Sequence, residues 1–387
     1  MHSTSRPLQW DIFCNVIDNY GDIGVCWRLA RQLAAEHGFA IRLWVDELAA
    51  FKRICPEIDT QRPVQEVSGV VVRRWEGDLS DIVPGDVVIE AFACRLPEAF
   101  ERAMAERSPQ PVWINLEYLS AEAWVSDCHA LPSPHPQLTL NKYFFFPGFD
   151  ATTGGLLREN DLEARRQSFL ASAQKKHEFW QQLGMLPPPD GALTISLFAY
   201  ENPALPDLLT LWAQGQMPVC CLAPLTQTLP IIEAFADQGL QAGDVVCLGN
   251  LEIRMLPFVA QADYDALLWS CDINFVRGED SFVRAQWAEK PMLWQIYPQN
   301  DDAHRDKLEA FLEKYCTSLS HSAASSVRAL FLAWNGLNAS GGIDPDSWQQ
   351  WMDALPEIRQ NAVNWSNRLK KQEDLCSSLV RFCLSKL

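Results

Sequence analysis

The chain has 387 residues, 48% of them hydrophobic and 21% charged, with a formal net charge of -17 and a pI near 4.8. So acidic a balance argues against a nucleic-acid partner, which needs a basic footprint, and the lack of an apolar run long enough to span a bilayer argues against a membrane protein. The length exceeds what one core usually supports, so two α/β domains of ordinary size are the expectation that the elements below must meet.

The opening, MHSTSRPLQW, has no apolar segment of signal-peptide type, so the expected location is the cytoplasm. The twelve cysteines lack paired metal-type spacing. Cys14, Cys94, Cys220, Cys221, Cys247 and Cys271 lie in or beside apolar strand-like runs and read as reduced core thiols, not as a disulfide framework or a zinc site.

Asp11 to Gly38 is the first complete unit. Ile12, Phe13, Cys14, Val16 and Ile17 form a short apolar run of buried-strand type. Cys26, Leu29, Ala30, Leu33 and Ala34 then recur at helical spacing, with Arg28, Arg31, Gln32 and Glu36 on the other face and Gly38 placed to stop the helix. The loop between them, Asp18-Asn19-Tyr20-Gly21-Asp22-Ile23-Gly24, falls where open α/β sheets put their ligands. A dinucleotide cradle there would be glycine-rich and uncharged. Asp18 and Asp22 repel a diphosphate and suit a cation or a group that must lose a proton. The local alternative is equally open at this point: Asp22 as a helix cap and Asp18 as an Asx-turn residue.

Strands are expected over Phe39 to Val45, Val70 to Trp75, Asp86 to Ala91 and Pro111 to Leu116, with helices near Glu47 to Ile54 and Leu96 to Glu106. Such alternation means a parallel, doubly wound sheet. Asn115, Glu117 and Tyr118 stand at the carboxyl end of the last of these strands, the edge that carries sites. Pro132-Ser133-Pro134-His135-Pro136 reads as a proline-broken loop, and Gly148, Gly154 and Gly155 mark an interdomain crossing. Glu159 to Leu183 reads as one long helix.

The alternation restarts with strands expected over Leu193 to Phe198, Pro218 to Ala223, Glu252 to Pro257, Asp272 to Val276 and Pro291 to Ile296. Within Cys271 to Lys290, Gly278 marks a turn and Ser281 is the N-cap candidate. A helix start there suits a diphosphate, Arg277 and Arg284 add charge, and Glu279 suits a sugar hydroxyl. The alternative for this cluster is a surface ion-pair group. Tyr200 and Phe258 follow two strands and suit stacking on a base, with Gln261 able to read its edge, although aromatics at strand ends are more often core. The expected domains are 1–155, 156–360 and a C-terminal helical segment, 361–387, able to pack back on the N-terminal domain.

The run Val16-Ile17-Asp18-Asn19-Tyr20-Gly21-Asp22-Ile23-Gly24 and the run Arg277-Gly278-Glu279-Asp280-Ser281-Phe282-Val283-Arg284-Ala285-Gln286 together resemble the EarP family of bacterial protein-arginine rhamnosyltransferases. Ile89-Glu90-Ala91-Phe92-Ala93-Cys94, Glu117-Tyr118-Leu119-Ser120-Ala121-Glu122 and Tyr297-Pro298-Gln299 fit the same family. The resemblance implies a glycosyltransferase B fold, two Rossmann-like domains facing a cleft, with the acceptor on the first and the nucleotide sugar on the second. It implies dTDP-β-L-rhamnose as donor, one arginine of elongation factor P as acceptor, inversion at the anomeric carbon, and no metal or other cofactor.

Carried over by position, the resemblance puts the general base on Asp22 and a second essential carboxylate on Asp18, with Asn19, Tyr20 and Gly21 in the substrate-binding set. Donor contacts fall on Tyr200, Phe258, Gln261, Arg277, Glu279, Asp280 and Ser281. Phe258 would stack on thymine near Gln261, Arg277 and Tyr200 would face the diphosphate, and Glu279 would hold a donor hydroxyl. The nearest rival is a glycosyltransferase of the same fold with another nucleotide sugar or a small-molecule acceptor. A non-catalytic binding module would be expected to lose Asp22 or Glu279, and a nicotinamide dehydrogenase would need a GxGxxG that follows neither first strand.

Overall fold

The computed structural model describes residues 6–18, 20–298, 303–339 and 341–387. By internal contacts the chain divides into two compact units, 1–160 with 370–387, and 161–369.

In the first unit the order is β1 (Gln9–Cys14), α1 (Gly21–His37), β2 (Ala40–Val45), α2 (Leu48–Ile54), β3 (Val64–Val67) and β4 (Val70–Arg74). It continues with β5 (Val87–Ala91), α3 (Glu98–Glu106), β6 (Val112–Leu116), α4 (Trp124–Cys128), β7 (Pro132–Pro134) and β8 (Asn141–Phe145). The sheet runs β3-β4-β2-β1-β5-β6-β8-β7, parallel except for the edge pairs β3 with β4 and β7 with β8. Because α1 packs on β1 and β2 while Phe100 and Met104 of α3 pack on Phe13, Val88 and Trp113, helices cover both faces of the central strands. Strands so placed need apolar residues at successive positions, and β5 and β6 are buried throughout.

The second unit opens with α5 (Leu162–Ala171), α6 (Ala173–Gln182), β9 (Leu193–Leu197), α7 (Leu205–Gln214) and β10 (Val219–Pro224). Next come α8 (Leu229–Ala236), β11 (Val245–Leu248), β12 (Leu251–Leu256), α9 (Gln261–Ser270), β13 (Ile273–Arg277) and α10 (Asp280–Ala288). It ends with β14 (Met292–Gln295), α11 (Ala303–Tyr315), α12 (His321–Trp334), α13 (Pro345–Asp353) and α14 (Leu355–Leu369). Its sheet runs β11-β12-β10-β9-β13-β14, with only β11 antiparallel to its neighbour. The last helix, α15 (Leu375–Leu384), belongs to the first unit. There the Leu375 backbone N–H donates to the Leu156 carbonyl at 3.0 Å, and Gln32 of α1 donates to Asp374 at 3.1 Å.

Both sheets share one feature that positions chemistry. β1 lies between β2 and β5, and β9 between β10 and β13, so the strand order reverses at the first strand of each unit. Loops leaving the carboxyl ends there diverge to opposite faces and open a crevice for ligand.

Several local expectations change. β1 ends at Cys14, which leaves Val16 and Ile17 in the loop, Ile17 65% exposed. α1 begins at Gly21, so the loop is shorter and Asp22 sits inside the first turn. Arg28 and Gln32 are buried, not on a solvent face: Arg28 is held by Glu159 through two contacts of 2.9 Å, and Gln32 donates to the Arg158 carbonyl at 2.9 Å. The long helix over Glu159 to Leu183 is two helices, because Ser172 ends the first and caps the second by accepting from the Lys175 N–H. Pro132-Ser133-Pro134 forms an edge strand, a place where the missing N–H groups of proline do no harm. Cys247 is exposed; the other five named thiols are buried and free.

Candidate catalytic and donor-binding residues

In the first unit the loop after β1 is organised by the Asp22 carboxylate. Its Oδ2 accepts the backbone N–H groups of Ile17 at 2.8 Å and Asp18 at 2.9 Å, so the side chain turns back and closes the loop that precedes its own helix. Tyr118, beyond the end of β6, adds a side-chain hydrogen bond to Asp22. The residue is 2% exposed. Burial pushes its carboxyl above the usual range against the opposing effect of those three bonds, and the charge of Asp46 at the end of β2 adds a little in the same direction. A carboxylate so destabilised is a better proton acceptor near neutral pH.

Asp18 approaches so closely that a Cβ at Gly21 would lie 2.5 Å from its Oδ2, while the Gly21 N–H donates to the Asp18 carbonyl at 2.6 Å. Gly21 is therefore the residue that gives the Asp18 carboxylate room. Tyr20 holds the N-cap position of α1, and its hydroxyl accepts from Arg53 at 3.3 Å. Asn19 lies outside the described residues. Asn115 is buried and donates to Glu117 at 2.5 Å, so this polar pair at the end of β6 is satisfied within itself on one side.

In the second unit Arg277 ends β13, next to the switch point. Its guanidinium carbon lies 4.5 Å from the Phe198 ring centroid and 4.4 Å from that of Tyr200, and its Nη1 donates to Gln227 at 2.7 Å. The planar cation is thus held against two aromatic rings and aimed by one amide. Gln227, in the loop after β10, is a residue that sequence reasoning missed. Its signal was only its place beyond the carboxyl end of a strand beside the switch point.

Ser281 is not the cap of α10; the helix starts at Asp280 with Glu279 in the cap position. Its hydroxyl accepts from the Arg277 N–H at 3.0 Å and donates to the Arg277 carbonyl at 2.5 Å, which ties the turn at Gly278, φ 55°, into a fixed loop. Asp280 accepts from Gln261 at 2.8 Å and from Arg284 at 3.1 Å, and Arg284 reaches Asp265 at 2.8 Å. Gln261 and Asp280 therefore hold each other inside the fold. Glu279 and Phe258 keep part of their surface exposed, whereas Arg277 is 4% exposed. Among the described residues no group of three or more His, Cys, Asp or Glu side chains is placed to hold a metal ion.

A family profile described as Elongation-Factor P (EF-P) rhamnosyltransferase EarP matches residues 10–384. A protein-arginine rhamnosyltransferase of Pseudomonas putida is 52% identical over 377 residues, covering 96% of this chain and 98% of that one. One of Shewanella oneidensis is 40% identical over 399 residues, 99% of each. Among solved structures, one determined for EarP-mediated arginine glycosylation of translation elongation factor EF-P has a TM-score of 0.70 and 38% identity, covering 98% of this chain and 100% of that one. The spinosyn rhamnosyltransferase SpnG, at 11% identity and a TM-score of 0.51 over 97% of this chain and 99% of its own, shares the fold. The fold is of glycosyltransferase B type, built on two Rossmann-like units.

Proposed function

The chain belongs to the EarP family of protein-arginine rhamnosyltransferases, and on that premise we propose that it moves L-rhamnose from dTDP-β-L-rhamnose to one arginine side chain of elongation factor P, with inversion at the anomeric carbon. The observation that carries this reading is the division of charge between the units. One switch-point loop presents Asp18 and Asp22, the chemistry for a guanidinium; the other presents a clamped Arg277 at a helix start, the chemistry for a diphosphate.

The second unit holds the donor. Arg277 and the positive dipole end of α10 meet the diphosphate charge that grows as the sugar departs, so the leaving group needs no metal or other cofactor. Glu279 accepts from a sugar hydroxyl, Phe258 stacks on the base, and Tyr200 serves by holding Arg277. Gln261, Asp280 and Ser281 keep that loop in shape.

The first unit holds the acceptor and the base. A guanidinium has a pKa of about 13.8, so removing its proton at neutral pH in a separate step costs roughly 9 kcal/mol. Proton removal must instead accompany attack. As the nitrogen bonds to the anomeric carbon its acidity rises, the Asp22 carboxylate takes the proton late, and Asp18 orients the planar fork and offsets its charge. The test is direct: incubate the chain with dTDP-rhamnose and unmodified elongation factor P and measure intact mass. One added deoxyhexose on one arginine is the expected result; no transfer, or transfer to any other residue, overturns the reading.

A further inference from the structure

Asp22 is fixed from two sides: by the backbone of its own loop, through Ile17 and Asp18, and from the far side of β5 by Tyr118. The segment carrying Tyr118 is itself anchored, since the Glu117 N–H donates to the Phe145 carbonyl at 3.0 Å and the Glu117 side chain accepts from Asn115. The Tyr118 ring stacks on Phe92 at 4.5 Å with an interplanar angle of 18°. Phe92 and Ala93 both have left-handed backbones, φ 57° and 55°, without being glycine. Consecutive residues of this kind persist only where their surroundings over-determine them. Here the Phe92 N–H donates to the Leu116 carbonyl at 2.7 Å and the Cys94 N–H to the Ala91 carbonyl at 3.1 Å, which hangs the turn between β5 and β6. The turn's effect is to set one aromatic ring under another beside the carboxylate.

We propose that Tyr118 is the positioning residue of this reaction: its hydroxyl, held in place by the Phe92 ring, keeps the Asp22 carboxylate in the orientation from which it takes the guanidinium proton. The inference rests on Asp22 being the base. Two donors, both backbone N–H groups of its own loop, hold Oδ2, and Tyr118 is the side-chain donor that comes from another element. The bond also stabilises the ionised form, and so limits how far burial raises the proton affinity of Asp22. The other titratable groups facing Asp22 are Asp18 on its own loop, Asp46 at the end of β2 and the buried Cys14 thiol of β1.

The experiment is a pH profile of kcat/KM for the full chain and its Tyr118→Phe variant, with dTDP-rhamnose and elongation factor P, beside calorimetric titration of dTDP. Loss of the hydroxyl is expected to lower kcat about ten-fold, the lower worth of a hydrogen bond to a charged group, to move the acid limb to higher pH, and to leave dTDP affinity unchanged. Phe92→Ala should move kcat and the acid limb in the same directions while Tyr118 itself remains. An acid limb that stays in place in Tyr118→Phe, with turnover near that of the parent, overturns the proposal. Asp22→Asn, run alongside, separates the two failures: if it is inactive while Tyr118→Phe is unaltered, only the role of Tyr118 falls, whereas an active Asp22→Asn removes the base and the positioning residue together.

Discussion

The side-chain amide of Gln261 donates to the Asp280 carboxylate at 2.8 Å, and both residues are at least nine-tenths buried. Asp280 also takes the Nε of Arg284, whose Nη1 bonds Asp265, so the start of α9 is riveted to the start of α10 through charge. Removing Asp280 leaves Arg284 paired with Asp265 alone and strands the buried Gln261 amide, each lost bond costing about 1 to 3 kcal/mol. Asp280→Ala is therefore expected to lower the thermal transition of the chain markedly, with Gln261→Ala, which leaves the ion pair intact, much milder. Equal, small shifts in calorimetric melting for the two variants would contradict a structural role for Asp280.

Arg277 depends on being flat. A lysine cannot lay a planar cation against the rings of Phe198 and Tyr200 or reach Gln227 in the same way. Arg277→Lys and Glu279→Ala should each weaken dTDP-sugar binding by about 1.5 to 3 kcal/mol, the range for hydrogen bonds to charged groups. Isothermal titration checks this, and unchanged affinity in both variants would remove the donor from this loop.

Gly155 is where the C-terminal segment closes on the first unit. Its φ is 76°, and a Cβ there would lie 2.3 Å from the Glu373 carbonyl oxygen. Gly155→Ala meets both backbone strain and a backbone clash, so it should destabilise by at least about 2 kcal/mol. Gly184→Ala, with φ 68° and open space around it, separates strain from clash and should cost less. Urea unfolding of the two variants decides, and equal losses would mean that the close approach to Glu373 relaxes at no cost.

What the sequence made legible was whatever a local pattern encodes. Central strands buried on both faces, such as β5 and β13, read as apolar runs, and Gly38 marked the left-handed end of α1. The loops at Asp18 and at Arg277 followed as the segments leaving the carboxyl ends of first and later strands. Burial of Arg28 and Gln32 was hidden because their partners, Glu159 and Asp374, lie 131 and 342 residues away in sequence. A separation of 50 residues hid Gln227 from Arg277 in the same way. The edge strand at Ser133 carries prolines that local rules assign to loops, and the break at Ser172 is made by one serine hydroxyl in a polar run.

Asp22 gives the sharpest prediction, because a base and a carboxylate that only closes its loop differ in turnover. Burial raises its carboxyl pKa in the folded chain. The folded state thus holds the proton to higher pH than the unfolded chain, so ionisation opposes folding: the penalty is absent below the unfolded value of about 3.9, grows as pH rises toward the folded value, and is constant above it. Asp22→Asn is nearly isosteric, and its amide oxygen can still accept the N–H groups of Ile17 and Asp18. At neutral pH the variant should therefore melt higher than the parent, with the gain shrinking as both are acidified. As the base is gone, kcat should fall by at least about a hundred-fold, with dTDP affinity intact. Asp18→Asn should lower turnover with more effect on acceptor binding, because Asp18 is argued to orient the guanidinium. A carboxylate with a purely structural role predicts the change in melting without the loss of turnover. Melting curves and steady-state rates on the same preparation settle it: an Asp22→Asn variant that turns over within a few-fold of the parent would place the base elsewhere.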